Sequence, residues 1–280
     1  MNSHNEACLA LAREVVNEYA NSSGLVMALV VGSVARGLAD AASDVDIYLY
    51  CDRVDHDAGE PRLGAIGGRR LFAIATPSGC FEKYRVDDHR FVDVERVATA
   101  TLDEVVTALH GADPLPAAAE KTAAGVRDAI AIIGADVLAQ WRGRLVYPDR
   151  LARAQAAAHL PILLSPVALW RLTLARGDCL SFAARVSDTL INGVALLGAV
   201  NRAFVVSAEP KWLPWQLERL PLRPERMMDR VNEALTDSMI DRMRDLRTLL
   251  DEILALVDAH IDGVDTSAAR FALALQPPGE

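Results

Sequence analysis

Cysteine is scarce: Cys8, Cys51, Cys80 and Cys179 are the only four in 280 residues, and no two form a CxxC pair. The six histidines never fall in HxH or HExxH spacing. Together these absences exclude a disulfide framework and a thiolate or histidine zinc centre as organising features, and all four thiols are expected to be reduced and structural. Positive charge is also short, with 29 Lys plus Arg against 38 Asp plus Glu and a net charge of -9. Such a balance repels phosphate polymers, so no extended nucleic acid is expected as a partner. The longest apolar runs, Leu25 to Val31 and Val194 to Val200, fall far short of the roughly 20 residues that cross a bilayer. No charged-then-apolar leader opens the chain. The expectation is a cytoplasmic protein with no membrane partner.

What is present suffices for packed cores. At 51% hydrophobic over 280 residues, the chain can fill about two domains, and disorder or fibre is excluded. Leu9, Ala12, Val15, Val16 and Tyr19 recur at helical spacing and stop at Asn21-Ser22-Ser23-Gly24. Short β-branched runs follow at Leu25 to Val31, Ile47 to Tyr50, Leu71 to Ala75, Phe81 to Val86 and Phe91 to Val97. The last two read as an antiparallel hairpin with His89 solvated at its tip. Thr101 and Glu104 have capping-box spacing for a helix running to His110-Gly111. Beyond it no strand is expected, only Ala- and Leu-rich helices broken at Pro148, Pro161, Pro166, Pro210, Pro214, Pro221 and Pro224. One long helix is expected from Glu225, carrying Val231, Leu235, Met239, Met243, Leu246, Leu250, Ile253 and Val257 on one face. The expected architecture is an α/β domain over 1–115 and an all-α domain over 116–280.

Chemistry concentrates in Val30-Val31-Gly32-Ser33-Val34-Ala35-Arg36-Gly37 and in Ser43-Asp44-Val45-Asp46-Ile47. A strand entering Gly32-Ser33 allows close approach of a ligand, and a helix starting there offers free N–H groups to phosphate. The Gly32 and Gly37 spacing imitates a P-loop. Leu38 and Ala39 stand where that loop needs Lys and Ser or Thr, so the P-loop reading fails. Asp44 and Asp46, two apart at a strand start, send both carboxylates to one face. Close carboxylates repel, and a divalent cation with nucleotide phosphates relieves them. Asp93, between Val92 and Val94, is the preferred third acid. Glu95 shares its face and is the alternative, unless it forms a surface ion pair with Arg96. Arg36 either clamps phosphate or pairs with Asp40. Arg69 and Arg70 read as charges on a strand edge.

The set Gly32, Ser33, Ser43, Asp44, Asp46 and Asp93 resembles the signature of the DNA polymerase β-type nucleotidyltransferase superfamily. The resemblance covers about the first hundred residues. It implies a small mixed sheet flanked by helices in that α/β domain, two Mg²⁺ ions held by Asp44, Asp46 and Asp93, and ATP or another nucleoside triphosphate as substrate. It also implies transfer of a nucleoside monophosphate, AMP in the first instance, with release of pyrophosphate. Glu95 would be the alternative general base. The segment Asn201-Arg202-Ala203-Phe204, with Lys211-Trp212 and Leu217-Glu218-Arg219-Leu220-Pro221, looks like the helical domain of bacterial antibiotic nucleotidyltransferases. There a lysine reaches the nucleotide's phosphates, which makes Lys211 either that lysine or a surface residue. Trp212 and Trp215 are stacking or packing residues. A small acceptor such as an aminoglycoside suits the acidic chain. The alternatives are transfer to a protein or RNA, or an antitoxin-like partner protein that binds nucleotide and transfers nothing.

Overall fold

Buried residues alternate with less buried ones over residues 45–48, 80–84 and 91–95, and that alternation gives this part of the sheet one closed face and one open face. The computed structural model describes residues 3–22, 24–87, 90–206, 211–236 and 239–274. Helix α1 (Ser3–Tyr19) precedes strand β1 (Leu25–Val30), a single helical turn α2 (Gly32–Ala35) and strand β2 (Val45–Cys51). Strands β3 (Arg69–Thr76), β4 (Gly79–Arg85) and β5 (Phe91–Ala98) follow, then helices α3 (Ala100–Leu109) and α4 (Ala117–Asp128), strand β6 (Ile130–Ile133) and helix α5 (Ala135–Arg144). The six strands form one mixed sheet in the order β3-β4-β5-β2-β1-β6. Strand β5 runs parallel to β2, and the other neighbours are antiparallel.

Helix α1 closes the inner face. Leu9, Ala12, Val15, Val16 and Tyr19, none more than 6% exposed, share a core with Val45, Ile47, Leu49, Val92 and Val94. Each buried Val, Leu or Ile among them contributes roughly 1.5–3 kcal/mol by leaving water. The same face holds a buried carboxylate. Glu82 on β4 is 0% exposed. It accepts from Tyr84 at 2.6 Å, Tyr19 at 3.3 Å and Arg70 at 3.3 Å, while Arg96 lies 3.5 Å away and donates to the Asp57 carbonyl at 2.9 Å. Burial, then the Glu82 charge, raises the Tyr19 hydroxyl far above its ordinary pKa. Arg70, on the edge strand β3 and partly exposed, is thus a strand-edge charge that also serves as counter-ion to Glu82.

Three local expectations need correction. Strand β6 lies beyond the expected boundary at residue 115, because Ile130–Ile133 pairs with β1 and extends the sheet. The chain accordingly groups as one unit of Met1–Thr107 with Thr122–Val146, and a second of Ala108–Lys121 with Tyr147–Glu280. Thr101 does not cap α3. Its hydroxyl donates back to the Ala98 carbonyl at 2.6 Å, and the helix opens after Thr99, whose carbonyl accepts from the Leu102 amide at 3.0 Å.

The second unit is helical: α6 (Asp149–Arg176), α7 (Cys179–Asn201), α8 (Leu213–Glu218), α9 (Met227–Thr236), α10 (Met239–His260) and α11 (Ser267–Ala274). Pro161 and Pro166 do not break α6, which runs through both. An interior proline costs about 3 kcal/mol, and the packing of α6 along α7 offsets it. The long helix expected from Glu225 is two helices, and Leu235 is 47% exposed near the end of the first. By length and composition α7 could cross a membrane, with a mean hydropathy of 1.2. Its Phe182, Val186, Leu190, Val194 and Leu197 are nonetheless buried in the packing of this unit. Glu120 of α4 is also buried, its pKa pushed up to about 7 by burial although the Val205 amide donates to it. All four cysteines are free, three of them buried and Cys179 exposed.

Candidate active site

The outer face of the sheet carries the acids. Parallel pairing of β2 with β5 sets Asp46 opposite Asp93, and antiparallel pairing of β5 with β4 sets Lys83 opposite Asp93. A row of acid, acid and base thus crosses three adjacent strands spaced about 4.8 Å apart. The period of two that buries Val45, Val92 and Val94 turns Asp46, Asp93 and Lys83 the other way.

Asp44 joins this row from the residue just before β2. Lys83 Nζ donates to Asp44 Oδ2 at 2.8 Å and lies 2.9 Å and 3.2 Å from the two carboxylate oxygens of Asp93. Two oxygens held within 2.9 Å of one nitrogen bring the Asp44 and Asp93 carboxylates together around the Lys83 ammonium. The cluster is partly open, with Asp44, Asp93 and Lys83 side chains 36%, 19% and 23% exposed. Partial burial works against the Lys83 ammonium, but its hydrogen bonds to Asp44 and Asp93 outweigh this and raise its pKa. The ammonium also lies 5.5 Å from the Phe91 ring centre.

Gly32 is required where it stands. Its φ of +66° lies in the left-handed region, and a Cβ there would come within 2.2 Å of Asp46 Oδ2. The turn and the second acid of the motif are therefore in direct contact. The Ser33 hydroxyl makes no hydrogen bond among the described residues, and the Ser33 carbonyl accepts from the Leu38 amide at 2.9 Å. Ser43 fixes the loop ahead of Asp44. It donates to Asp40 Oδ1 at 2.9 Å and accepts from the Asp40 amide at 3.0 Å, which leaves Asp40 engaged locally.

The remaining expected site residues go elsewhere. Arg36 caps the end of α2 and pairs with Asp128 at 3.1 Å, with both side chains largely buried. It does not pair with Asp40. Glu95 is half-buried beside Asp93, and the Tyr48 hydroxyl bonds to it; burial first, then the Glu95 charge, raises that tyrosine's pKa. The ion pair expected between Glu95 and Arg96 does not form, because neighbours on a strand point to opposite faces and Arg96 turns inward to Glu82. Lys211 belongs to the helical unit, where its side chain is exposed and its carbonyl accepts from Gln216 at 2.7 Å. Trp212, 37% exposed, precedes α8, and the Arg219 guanidinium stacks 4.4 Å from the Trp215 ring centre. His89 lies outside the described residues. A cleft of about 820 Å³ in the helical unit, bordered by His110, Arg150, Arg153 and Asp265, contains none of the expected residues.

Several solved structures are similar to this chain, two of them as follows. One is a nucleotidyltransferase-like protein from Exiguobacterium sibiricum 255-15, 15% identical, with a TM-score of 0.42 over 90% of this chain and 75% of that one. The other is an aminoglycoside 6-adenyltransferase from Bacillus subtilis, 10% identical, with a TM-score of 0.32 over 99% of this chain and 94% of that one. No family model and no curated protein matches the chain.

The residue that sequence reading overlooked is Lys83. Among the described residues no three His, Cys, Asp or Glu side chains form a ready metal cluster. Two carboxylates instead grip one ammonium, that of Lys83. The donors suit magnesium, which takes oxygen ligands and is usually held by one or two carboxylates plus substrate phosphates and water.

Proposed function

We propose that this chain is a metal-dependent nucleotidyltransferase of the polymerase β type. It would act in the cytoplasm and transfer a nucleoside monophosphate, AMP from ATP in the first instance, to a hydroxyl of a small aminoglycoside-like acceptor. The supporting observation is the convergence of Asp44 and Asp93 on one cationic point, with Asp46 in register beside Asp93 and against Gly32. Asp44, Asp46 and Asp93 would hold magnesium, which when bound neutralises phosphate charge and lowers the pKa of the attacking hydroxyl.

The chain's own residues supply position and proton transfer. The turn at Gly32, lacking a Cβ, admits the triphosphate close to the backbone, and the free Ser33 hydroxyl donates to a phosphate oxygen. The acceptor oxygen bonds to the α-phosphorus. The bond from that phosphorus to the bridging oxygen breaks, and its electron pair leaves with pyrophosphate. The hydroxyl proton passes to a carboxylate oxygen of Asp93, with Glu95, two residues further along the same face, as second choice.

The test is incubation with Mg²⁺ and labelled nucleoside triphosphates, alone, with a cell extract and with an aminoglycoside panel. Pyrophosphate release and a labelled acceptor, both lost in Asp46→Asn, are expected. Labelled protein or RNA in the extract arm would move the acceptor to a macromolecule. A second reading, a nucleotide-binding partner protein that transfers nothing, draws support from Lys83 already pairing with two of the acids. Nucleotide binding without turnover in every arm would select it.

A further inference from the structure

We propose that Lys83 is an internal counter-cation that holds Asp44 to Asp93 and competes with the divalent metal, so that metal binds tightly only when a nucleoside triphosphate draws the ammonium away. This rests on the reading of Asp44 and Asp93 as metal ligands. Two carboxylates this close repel each other, and a cation between them is what keeps them together. The Lys83 ammonium makes both contacts, at 2.8 Å and 2.9 Å. A divalent ion would need the same oxygens, and it cannot share them with an ammonium at hydrogen-bond distance.

The lysine has somewhere to go. Its backbone is fixed in β4 opposite Asp93, but its four-carbon stem is flexible and the side chain is 23% exposed. A triphosphate beside the acids offers anionic oxygens that can replace the two carboxylates as the ammonium's partners. The nearby Phe91 ring, 5.5 Å away, gives it a favourable surface on the way. The metal then takes the vacated carboxylates and the lysine takes phosphate. Metal and nucleotide are thus coupled, and the coupling is reciprocal by linkage. An arginine could not serve in the same way, because its planar fork would engage the two carboxylates more firmly than a point charge.

The experiment titrates Mn²⁺ into the full chain, reading free Mn²⁺ by electron paramagnetic resonance, with and without a nonhydrolysable ATP analogue and corrected for Mn²⁺ held by the analogue itself. In the wild type the analogue is expected to tighten Mn²⁺ binding by about ten-fold or more, within the usual span of coupling between sites. Lys83→Met should bind Mn²⁺ about ten-fold more tightly than wild type without nucleotide, and the effect of the analogue should shrink towards none. Lys83→Arg should stay weak. A lysine with a merely structural role would not tighten metal binding when removed. Lys83→Met affinity equal to or below wild type overturns the proposal, and if that variant does not fold, a wild-type affinity indifferent to the analogue overturns it. Pyrophosphate release measured in parallel separates the two ideas. Tighter Mn²⁺ in Lys83→Met without transfer by any protein sinks the transferase and keeps the competing lysine. Transfer by wild type without the gain in Lys83→Met does the reverse.

Discussion

Glu82 and Lys83 are chain neighbours on β4, yet each anchors a charge cluster of opposite character. Glu82 faces the core at 0% exposure, with two tyrosine hydroxyls and two guanidiniums around it. Lys83 faces outward, partly exposed, between carboxylates that keep access to solvent. A closed cluster, whose carboxylate is already surrounded by donors, holds the sheet to α1. An open one that gathers excess negative charge can exchange partners. The difference teaches that charge content alone does not mark a site. What marks it is charge on the face that packing leaves open.

The contrast is broken most severely by Glu82→Ala, which leaves Arg70 and Arg96 without their buried counter-charge. Stability in urea should fall by about 3–5 kcal/mol, as expected for opening a buried pair. Asp93→Asn should do the opposite: unfolding midpoints close to wild type, with pyrophosphate release down about 10²–10³-fold, equivalent to about 2.7–4 kcal/mol of lost transition-state stabilisation. Equal loss of stability in both variants would erase the distinction between the two faces.

Glu120 sharpens the comparison, because it is a buried carboxylate for which no ion pair is found among the described residues. Its folded pKa of about 7 stands above the ordinary 4.5, so the folded state binds the proton more tightly than the unfolded chain. Stability should therefore decline as pH rises from about 4.5 through about 7, by up to about 3 kcal/mol. Glu120→Gln should flatten that decline in thermal melts at pH 5 and pH 8, and an unchanged slope would contradict the assignment. Gly32→Ala should lower stability by about 1–3 kcal/mol for forcing a left-handed residue. Its transfer rate should fall further than that loss accounts for, since the new Cβ displaces Asp46.

Much of this was legible in the residues. The helical spacing of Leu9 to Tyr19, the alternation about Asp46 and Asp93, and the hairpin of β4 with β5 all stand in the structure as read. Lys83 was within reach too, since pairing that hairpin from Arg85 and Phe91 sets it opposite Asp93. Strand β6 was not, because four apolar residues between helices carry no period that separates strand from helix. Nor was the course of α6 through Pro161 and Pro166, because local propensity weighs against it and only the packing with α7 reverses the balance.

Composition and pattern by themselves determined an α/β half followed by a helical half, a Gly-Ser turn after the first strand, and acids sent to one face of later strands. Those follow from periods of two and of three to four residues, which each segment carries internally. Tertiary structure decided which charges meet: Arg36 with Asp128, Arg96 with Glu82, and Lys83 with both Asp44 and Asp93. Such meetings depend on strand register and on which side chains other elements cover, and neither is encoded in any one segment.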